Sequence, residues 1–221
     1  MPQDRSQKTK SAFDAALAAQ RAGELETAIA LYTQVLQSDG NRPDALNNLG
    51  VGLRQTGRFA AAEVCYRRVL KLGEPTAGSY TNLGNVLRDQ GKLAESEAAY
   101  LSALELDADS AAAHYGLGLV LRDLEHVEDS LDAFGSALSL DPDNAQYEWD
   151  RALSLLRVGR YREGFEAYES RWRQPGHIKL ETKPEWQGDQ LAGRTLLLYG
   201  EQGFGDVIQF ARFLRDDAWQ D

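Results

Sequence analysis

The stretch that decides the fold reads LNNLGVGLRQT at residues 46–56. It returns as YTNLGNVLRDQ at 80–90 and as HYGLGLVLRDL at 114–124, each copy 34 residues after the one before. Self-similarity at a fixed period of this length is typical of repeat architectures, in which each unit packs mainly on its neighbours. The sequence therefore predicts a chain built from stacked copies of one supersecondary unit.

Each copy has the pattern of two helices joined by a tight turn, because apolar residues recur at helical spacing in each half. One aromatic residue occupies the same place in the second half of every copy: Tyr32, Tyr66, Tyr100, Phe134 and Tyr168. A small residue in the first half would let the two helices approach closely, and it recurs at Gly50, Gly84 and Gly118. The sequence thus indicates a pair of helices, A and B, in each unit.

This pattern resembles the tetratricopeptide repeat, through Leu46, Leu49-Gly50 and Leu53 followed by Ala62 and Tyr66. The resemblance implies an all-α, right-handed solenoid of about five helix pairs with a concave face. We expect a disordered N-terminus at 1–10 and a solenoid over 11–172. The predicted repeats lie at about 9–42, 43–76, 77–110, 111–144 and 145–172.

The A-to-B turn carries glycine in four copies, at Gly23, Gly57, Gly91 and Gly159. Glycine reaches a positive φ at little cost, which suits such a turn. The fourth copy has Glu125 there, followed by His126. We therefore predict a different turn conformation and a local weak point, with faster hydrogen exchange over 122–130 than in the other turns.

In a solenoid of this family the A helices line the inside of the curve, which points to a peptide-binding groove. The side chains that this register places there are Asn47, Asn48, Arg54, Thr81, Asn82, Asn85, Arg88, Tyr115, Arg122 and Trp149. The main functional prediction is therefore a protein-interaction scaffold that holds an extended peptide or a partner protein. The lysine-and-asparagine set of chaperone-tail clamps is matched well only at Asn85, so we do not expect that ligand.

Asparagine occupies one place in successive repeats, at Asn48 and Asn82, as in the asparagine ladder of the O-GlcNAc transferase superhelix. An amide can donate to a peptide carbonyl and accept from a peptide N–H, so such a row suits an extended ligand. The row stops at Gly116 and Asp150. Alternatively, the amides hydrogen-bond within the stack and only stabilise it.

Arginine recurs at the same interval, at Arg54, Arg88 and Arg122. Guanidinium groups at this spacing could bind carboxylates along an acidic ligand. The alternative is that they pair with nearby acids such as Asp89 and Asp123. The residues alone leave both interpretations open.

The periodicity ends near Trp172, and 173–193 reads as a linker rich in Pro, Gly and polar residues. Residues 195–199 form a short apolar run of the buried-strand type, and helical spacing resumes after Asp206. Together, 194–221 read as a strand–helix fragment. A lone strand has unpaired edges, so we expect 195–199 to pair with the same strand of another molecule, giving a homo-oligomer, or else the tail to be poorly ordered.

From PEWQG at 184–188 to GEQGFGD at 200–206, the stretch resembles the start of a glycosyltransferase-like domain that follows such repeats in bacterial proteins and is similar to heptosyltransferases. The resemblance implies that 194–221 are a fragment of a truncated Rossmann-like lobe, and that Gly205 and Asp206 lie beside an acceptor, with Asp206 as general base. The order of apolar run, glycines and helix also makes the turn at Gly203 and Gly205 phosphate-loop-like. From its own position Asp206 is more plainly a helix cap than a general base. The chain ends too soon to build a nucleotide site, so we expect no competent enzyme here. The alternative function is acceptor recognition for a glycosyltransferase whose catalytic lobes follow.

The charge and composition of the chain argue against several classes of partner and ligand. The net charge of −10 and the pI near 4.9 argue against nucleic acid and anionic membrane as partners. Cys65 is alone and reads as a small helix residue, and the three histidines show no metal-ligand spacing. We expect a cytoplasmic protein with neither a metal nor a cofactor.

Overall fold

The computed structural model describes residues 2–73 and 75–174, with side chains described from residue 9 onward. All regular structure in this part is helical, which confirms the predicted all-α stack of helix pairs for these residues. The α-helices are α1 (Pro2–Arg21), α2 (Leu25–Ser38), α3 (Pro43–Gln55), α4 (Phe59–Leu72), α5 (Ala77–Asp89), α6 (Leu93–Leu106), α7 (Ala111–Asp123), α8 (Val127–Leu140), α9 (Ala145–Arg157) and α10 (Tyr161–Tyr168). A 3₁₀ turn follows at Glu169–Arg173.

The first helix differs from the prediction, because α1 begins at Pro2 and so runs through the segment 1–10 that was expected to be disordered. Proline is tolerated in the first turn of a helix, where its missing N–H would have no helical partner. The following residues, QDRSQKTK at 3–10, contain neither glycine nor a second proline. Polarity alone therefore did not separate an exposed helix from a disordered tail.

The helices pack in chain order: each A helix packs on the B helix of its own pair, and each B helix packs on the A helix of the next pair. The A helices α3, α5, α7 and α9 begin 34 residues apart, at Pro43, Ala77, Ala111 and Ala145. Every residue of one repeat therefore has an equivalent 34 positions later. This register is what allows contacts to be compared between repeats below.

The core of the second, third and fourth pairs is one aromatic ring against one glycine. Tyr66, Tyr100 and Phe134 are at most 1% exposed. A Cβ placed on Gly50 would lie 2.7 Å from the Tyr66 ring, and Gly118 has the same 2.7 Å relation to Phe134. Side chains larger than hydrogen therefore do not fit, and the predicted close approach of helices A and B is confirmed.

The turn of the fourth repeat does not differ from the others, so the predicted change of conformation is wrong. Glu125 has φ of 67°, close to the 76° of Gly57. The backbone bond from His126 N to Leu121 O is 2.9 Å, and the equivalent bond from Arg58 to Leu53 is 2.8 Å. Packing of the flanking helices therefore holds a glutamate in the left-handed region, at a cost of about 1 kcal/mol.

We expect Glu125→Gly to raise the unfolding free energy by about 0.5–1 kcal/mol, because it releases this backbone strain. The change removes an exposed ion pair between Glu125 and Arg157, and such pairs contribute about 0–1 kcal/mol. Urea denaturation measures the difference, and Gly57→Ala should show the reverse sign. A Glu125→Gly variant less stable than the parent chain would contradict the strain. Faster hydrogen exchange over 122–130 remains the companion prediction for the parent chain.

A polar network on Glu63 joins the second repeat to the third. Its carboxylate accepts from Lys92 Nζ at 2.7 Å, from Gln90 Nε2 at 2.8 Å and from Arg67 Nε at 2.7 Å. The Glu63 side chain is only 12% exposed. The hydrogen bond from Lys92 is the largest of the effects that lower the pKa of Glu63 from 4.5 to about 2, with Arg67 and Gln90 adding to it.

This lowered pKa predicts a pH-dependent contribution to stability. A group whose pKa falls on folding stabilises the folded state above its unfolded pKa, and this contribution is lost as the pH drops towards the folded value. We expect Glu63→Gln to cost about 1–2 kcal/mol at neutral pH, and the difference to vanish between pH 4.5 and about 2. Urea titrations at several pH values measure it, with the exposed Glu105→Gln as control. A difference that stays constant down to pH 2 would exclude the network as its source.

Candidate functional site on the A helices

The A helices form one continuous face of the described stack. α3 packs on α5, α5 on α7 and α7 on α9. Among the described residues, successive B helices pack on each other less than these A helices do. Helices on the inner side of a curved stack lie closer together than those on the outer side. We therefore infer that the A helices line the concave side, and we call their exposed surface the inner face.

The predicted asparagines lie together on the inner face of the second and third repeats. Asn82 Nδ2 donates to Asn47 Oδ1 at 2.9 Å, which links α5 to α3. Asn85 Oδ1 accepts from the Tyr100 hydroxyl at 2.8 Å. Asn48 is half-buried, and its amide forms no hydrogen bond with another described residue. Three of the four amides thus hydrogen-bond within the stack, whereas Asn48 keeps its hydrogen-bonding capacity.

The predicted arginines pair with carboxylates of the following repeat. Arg54 Nε lies 2.5 Å from Asp89 Oδ2, and Arg88 Nε lies 2.7 Å from Asp123 Oδ2. Both bonds join a residue to another that is 35 positions later, one past its equivalent. These are the ion pairs that the alternative interpretation of the arginines expected. The guanidinium groups therefore already have anionic partners in the chain.

Arg122 reaches a different acid, because the position 35 residues after it is Arg157. Its Nη1 lies 2.8 Å from Oδ1 of Asp150, which is two helical turns before Arg157 on α9. The Tyr115 hydroxyl donates to Asp150 Oδ2 at 2.7 Å, and so does Gln146 Nε2 at 2.7 Å. Asp150 is 6% exposed and is the anionic centre of the joint between the fourth and fifth repeats.

The predicted aromatic residues of the inner face also serve the stack. The Tyr115 ring stacks on Tyr147 of α9 with centroids 4.4 Å apart, and the Trp149 ring stacks on Tyr168 of α10 at 4.6 Å. Burial raises the pKa of Tyr115, and its hydrogen bond to Asp150 adds to this effect, so the hydroxyl stays a donor. Both rings are therefore occupied by contacts within or between repeats.

Thr81 occupies the place of Tyr115 in the third repeat, and it is buried. Its hydroxyl donates to the Ala77 carbonyl at 2.9 Å, one turn back on α5. Its hydroxyl is thus used inside the helix.

Sequence reasoning missed Asp150 as a structural centre. The reversed charge at Arg157 was the available signal, because it leaves Arg122 without an acid at the regular offset. The inner face also carries partly exposed leucines, at positions that the register of the A helices places there. Leu119 is half-buried and Leu153 is 36% exposed, at the positions of Val51 and Asn85 in earlier repeats.

The predicted C-terminal features lie outside the described residues. These are most of the linker 173–193, the strand 195–199, the fragment 194–221 and the residues Gly203, Gly205 and Asp206. Among the described helices, none is long and apolar enough to cross a membrane.

Comparison with known proteins identifies the repeat. Two models described as tetratricopeptide repeat match residues 13–77 and 111–144, and one described as TPR repeat matches 84–124. The chain is a tetratricopeptide repeat protein. Together the matches cover 13–77 and 84–144, and the match to 111–144 has the bounds of the predicted fourth repeat.

Relatives of this tetratricopeptide repeat protein include protein FlbA of Caulobacter vibrioides, 41% identical over 73 residues. That match covers 30% of this chain and 12% of FlbA, so the chain spans a small part of that relative's length.

Solved structures share the fold. PilF of Pseudomonas aeruginosa superposes with a TM-score of 0.68 at 20% identity, covering 79% of this chain and 80% of that one. MamA 41-end of Desulfovibrio magneticus RS-1 gives 0.67 at 22% identity, covering 76% and 97%. YrrB, described as a TPR protein with an unusual peptide-binding site, gives 0.58 at 20% identity, covering 75% and 86%.

Proposed function

We propose that the chain is a protein-interaction scaffold that binds an extended peptide segment along the inner face of α3 to α9. The observation that carries this proposal is the half-buried amide of Asn48, which has no hydrogen-bond partner among the described residues. A peptide backbone offers both a donor and an acceptor to such an amide. Asn85 adds a donor, because only its oxygen is used by Tyr100.

The apolar residues of the inner face support a side-chain contact at the other end. Leu119 and Leu153 lie on α7 and α9, two and three repeats beyond Asn48. Burying apolar area there contributes about 25 cal/mol per Å². An extended peptide would therefore place polar backbone on the second and third repeats and an apolar side chain on the fourth and fifth.

The arginines do not favour an acidic ligand. Arg54, Arg88 and Arg122 each face a carboxylate of the chain, so their charge is largely neutralised. Replacing them would break the contacts between repeats before it tested a ligand. Recognition of the backbone and of an apolar side chain therefore carries the proposal.

The test uses peptides selected on the folded chain from a random displayed library, with affinities measured by fluorescence anisotropy. We expect Asn48→Ala and Leu153→Asp to weaken the selected peptides at least about tenfold, which corresponds to about 1.4 kcal/mol. Gln37→Ala, an exposed amide on the B helix α2, is the matched control and should bind normally. Peptides that bind both inner-face variants as tightly as the parent chain would refute the proposed site.

A further inference from the structure

The last B helix exposes two large aromatic side chains. Tyr161 is 63% and Phe165 is 61% exposed, both on α10. Their equivalents in the fourth repeat, Val127 and Leu131, are 6% and 7% exposed. Those residues are covered because α8 packs on α9, whereas no A helix among the described residues follows α10. The face of α10 that carries Tyr161 and Phe165 is therefore apolar, like a face that packs on the next repeat. We call it the tail face.

The first A helix, α1, exposes the surface that packs on a preceding B helix in the later repeats. Ala15 and Ala18 are exposed on α1, and we call this surface the head face. The equivalents of Ala18 in the later repeats are all buried: Gly52, Val86, Val120 and Ser154. Each of them lies on an A helix that packs on the B helix of the preceding repeat. The head face thus presents small residues where every other A helix receives a B helix.

A contact inside the chain shows how the two faces would meet. Ile29 occupies the place of Phe165 in the first repeat, and its Cγ1 lies 3.1 Å from the position of a Cβ on Gly52. Gly52 is in turn the equivalent of Ala18. The same register would set Phe165 of one molecule against Ala18 of another, a large side chain against a small one.

The charges agree with this register. Within the chain, Glu26 of α2 pairs with Arg58, which precedes α4 in the next repeat. The equivalents at a joint between molecules are Arg162, whose side chain is 92% exposed, and Glu24, which is exposed as well. The signs are exchanged, but the pair remains one cation and one anion.

We propose that two copies of this chain associate head to tail, with α10 of one copy packing on α1 of the next as a B helix packs on an A helix. The interface is heterologous, so further copies can add at each free end. Burial of the two exposed aromatic residues supplies its apolar contacts, and Arg162 with Glu24 of the second copy supplies a charge pair.

Sedimentation velocity on the full chain at increasing concentration tests the proposal. We expect the parent chain to associate, and Phe165→Glu and Ala18→Arg each to raise the dissociation constant at least about tenfold. Val64→Glu, an equally exposed apolar residue on α4, is the control and should associate as the parent chain does. Circular dichroism verifies that each variant is folded.

Mixing the two variants distinguishes this mode from others. Phe165→Glu keeps a working head face and Ala18→Arg keeps a working tail face, so an equimolar mixture should form a complex that stops at two chains. A parent chain that stays monomeric at every concentration would overturn the proposal. This is the result expected if other residues of the same chain cover the tail face. Ala18→Arg that still associates like the parent chain would also overturn it, because it indicates tail-to-tail pairing.

Discussion

Asp150→Ala should lower the unfolding free energy by about 3 kcal/mol, because it leaves the largely buried guanidinium of Arg122 without its anion. The Arg122 side chain is 17% exposed and that of Asp150 is 8% exposed, so solvent can replace the lost contact only in part. The change also removes the acceptor of the Tyr115 hydroxyl. Thermal and urea denaturation measure the loss, and Asp132→Ala, an exposed acid on α8, should change stability by less than about 0.5 kcal/mol.

The double variant shows whether the pair itself is responsible. If Asp150 acts mainly by neutralising Arg122, then Arg122→Met combined with Asp150→Ala should be more stable than Asp150→Ala alone, because no buried charge remains unpaired. Asp150→Asn keeps an oxygen acceptor for Tyr115 and should lie between the parent chain and Asp150→Ala. A loss of less than about 1 kcal/mol in Asp150→Ala would show that this joint does not depend on the carboxylate.

The repeat architecture was predictable from the sequence because its cause is local and recurs. A small residue is needed wherever helix A packs closely on helix B, so Gly50 and Gly84 appear at the same interval as Tyr66 and Tyr100. The turn was less predictable. Glycine marks the left-handed position but does not define it, since the packing of the flanking helices holds Glu125 in the same conformation.

The direction of polar side chains was harder to predict, because the inner face and the joints between repeats use adjacent positions of the same helix. Arg54 and Asp89 carry their pairing in the sequence as an offset of 35. The residue 35 positions after Arg122 is another arginine, Arg157, so Arg122 pairs with Asp150 instead. Trp149 falls in the predicted groove register, yet its ring stacks on Tyr168 of α10. Which neighbour a long side chain contacts depends on how the helices pack. The sequence pattern of one repeat does not specify that neighbour.

Gly116 shows the same limit and supports the second large prediction. It interrupts the asparagine row, and from the sequence it reads as a lost ligand contact. In the structure a Cβ on Gly116 would lie 2.2 Å from Tyr100 Cε1, because the Tyr100 ring fills the space between α5 and α7. Any side chain there must displace a fully buried ring. Gly116 is therefore required by packing, whatever the groove binds.

We expect Gly116→Ala to lower the unfolding free energy by about 2–3 kcal/mol through overpacking against Tyr100, although alanine favours a helix over glycine by about 1 kcal/mol. Gly135→Ala is the matched control, because a Cβ on this residue of α8 meets nothing within 4 Å. It should stabilise the chain by about 0.5–1 kcal/mol through helix propensity alone. Urea denaturation of both variants gives opposite signs if packing at the Tyr100 ring decides the first case. Equal stabilisation of both would mean that the ring can move away at little cost, and that the joint between the third and fourth repeats is loosely packed.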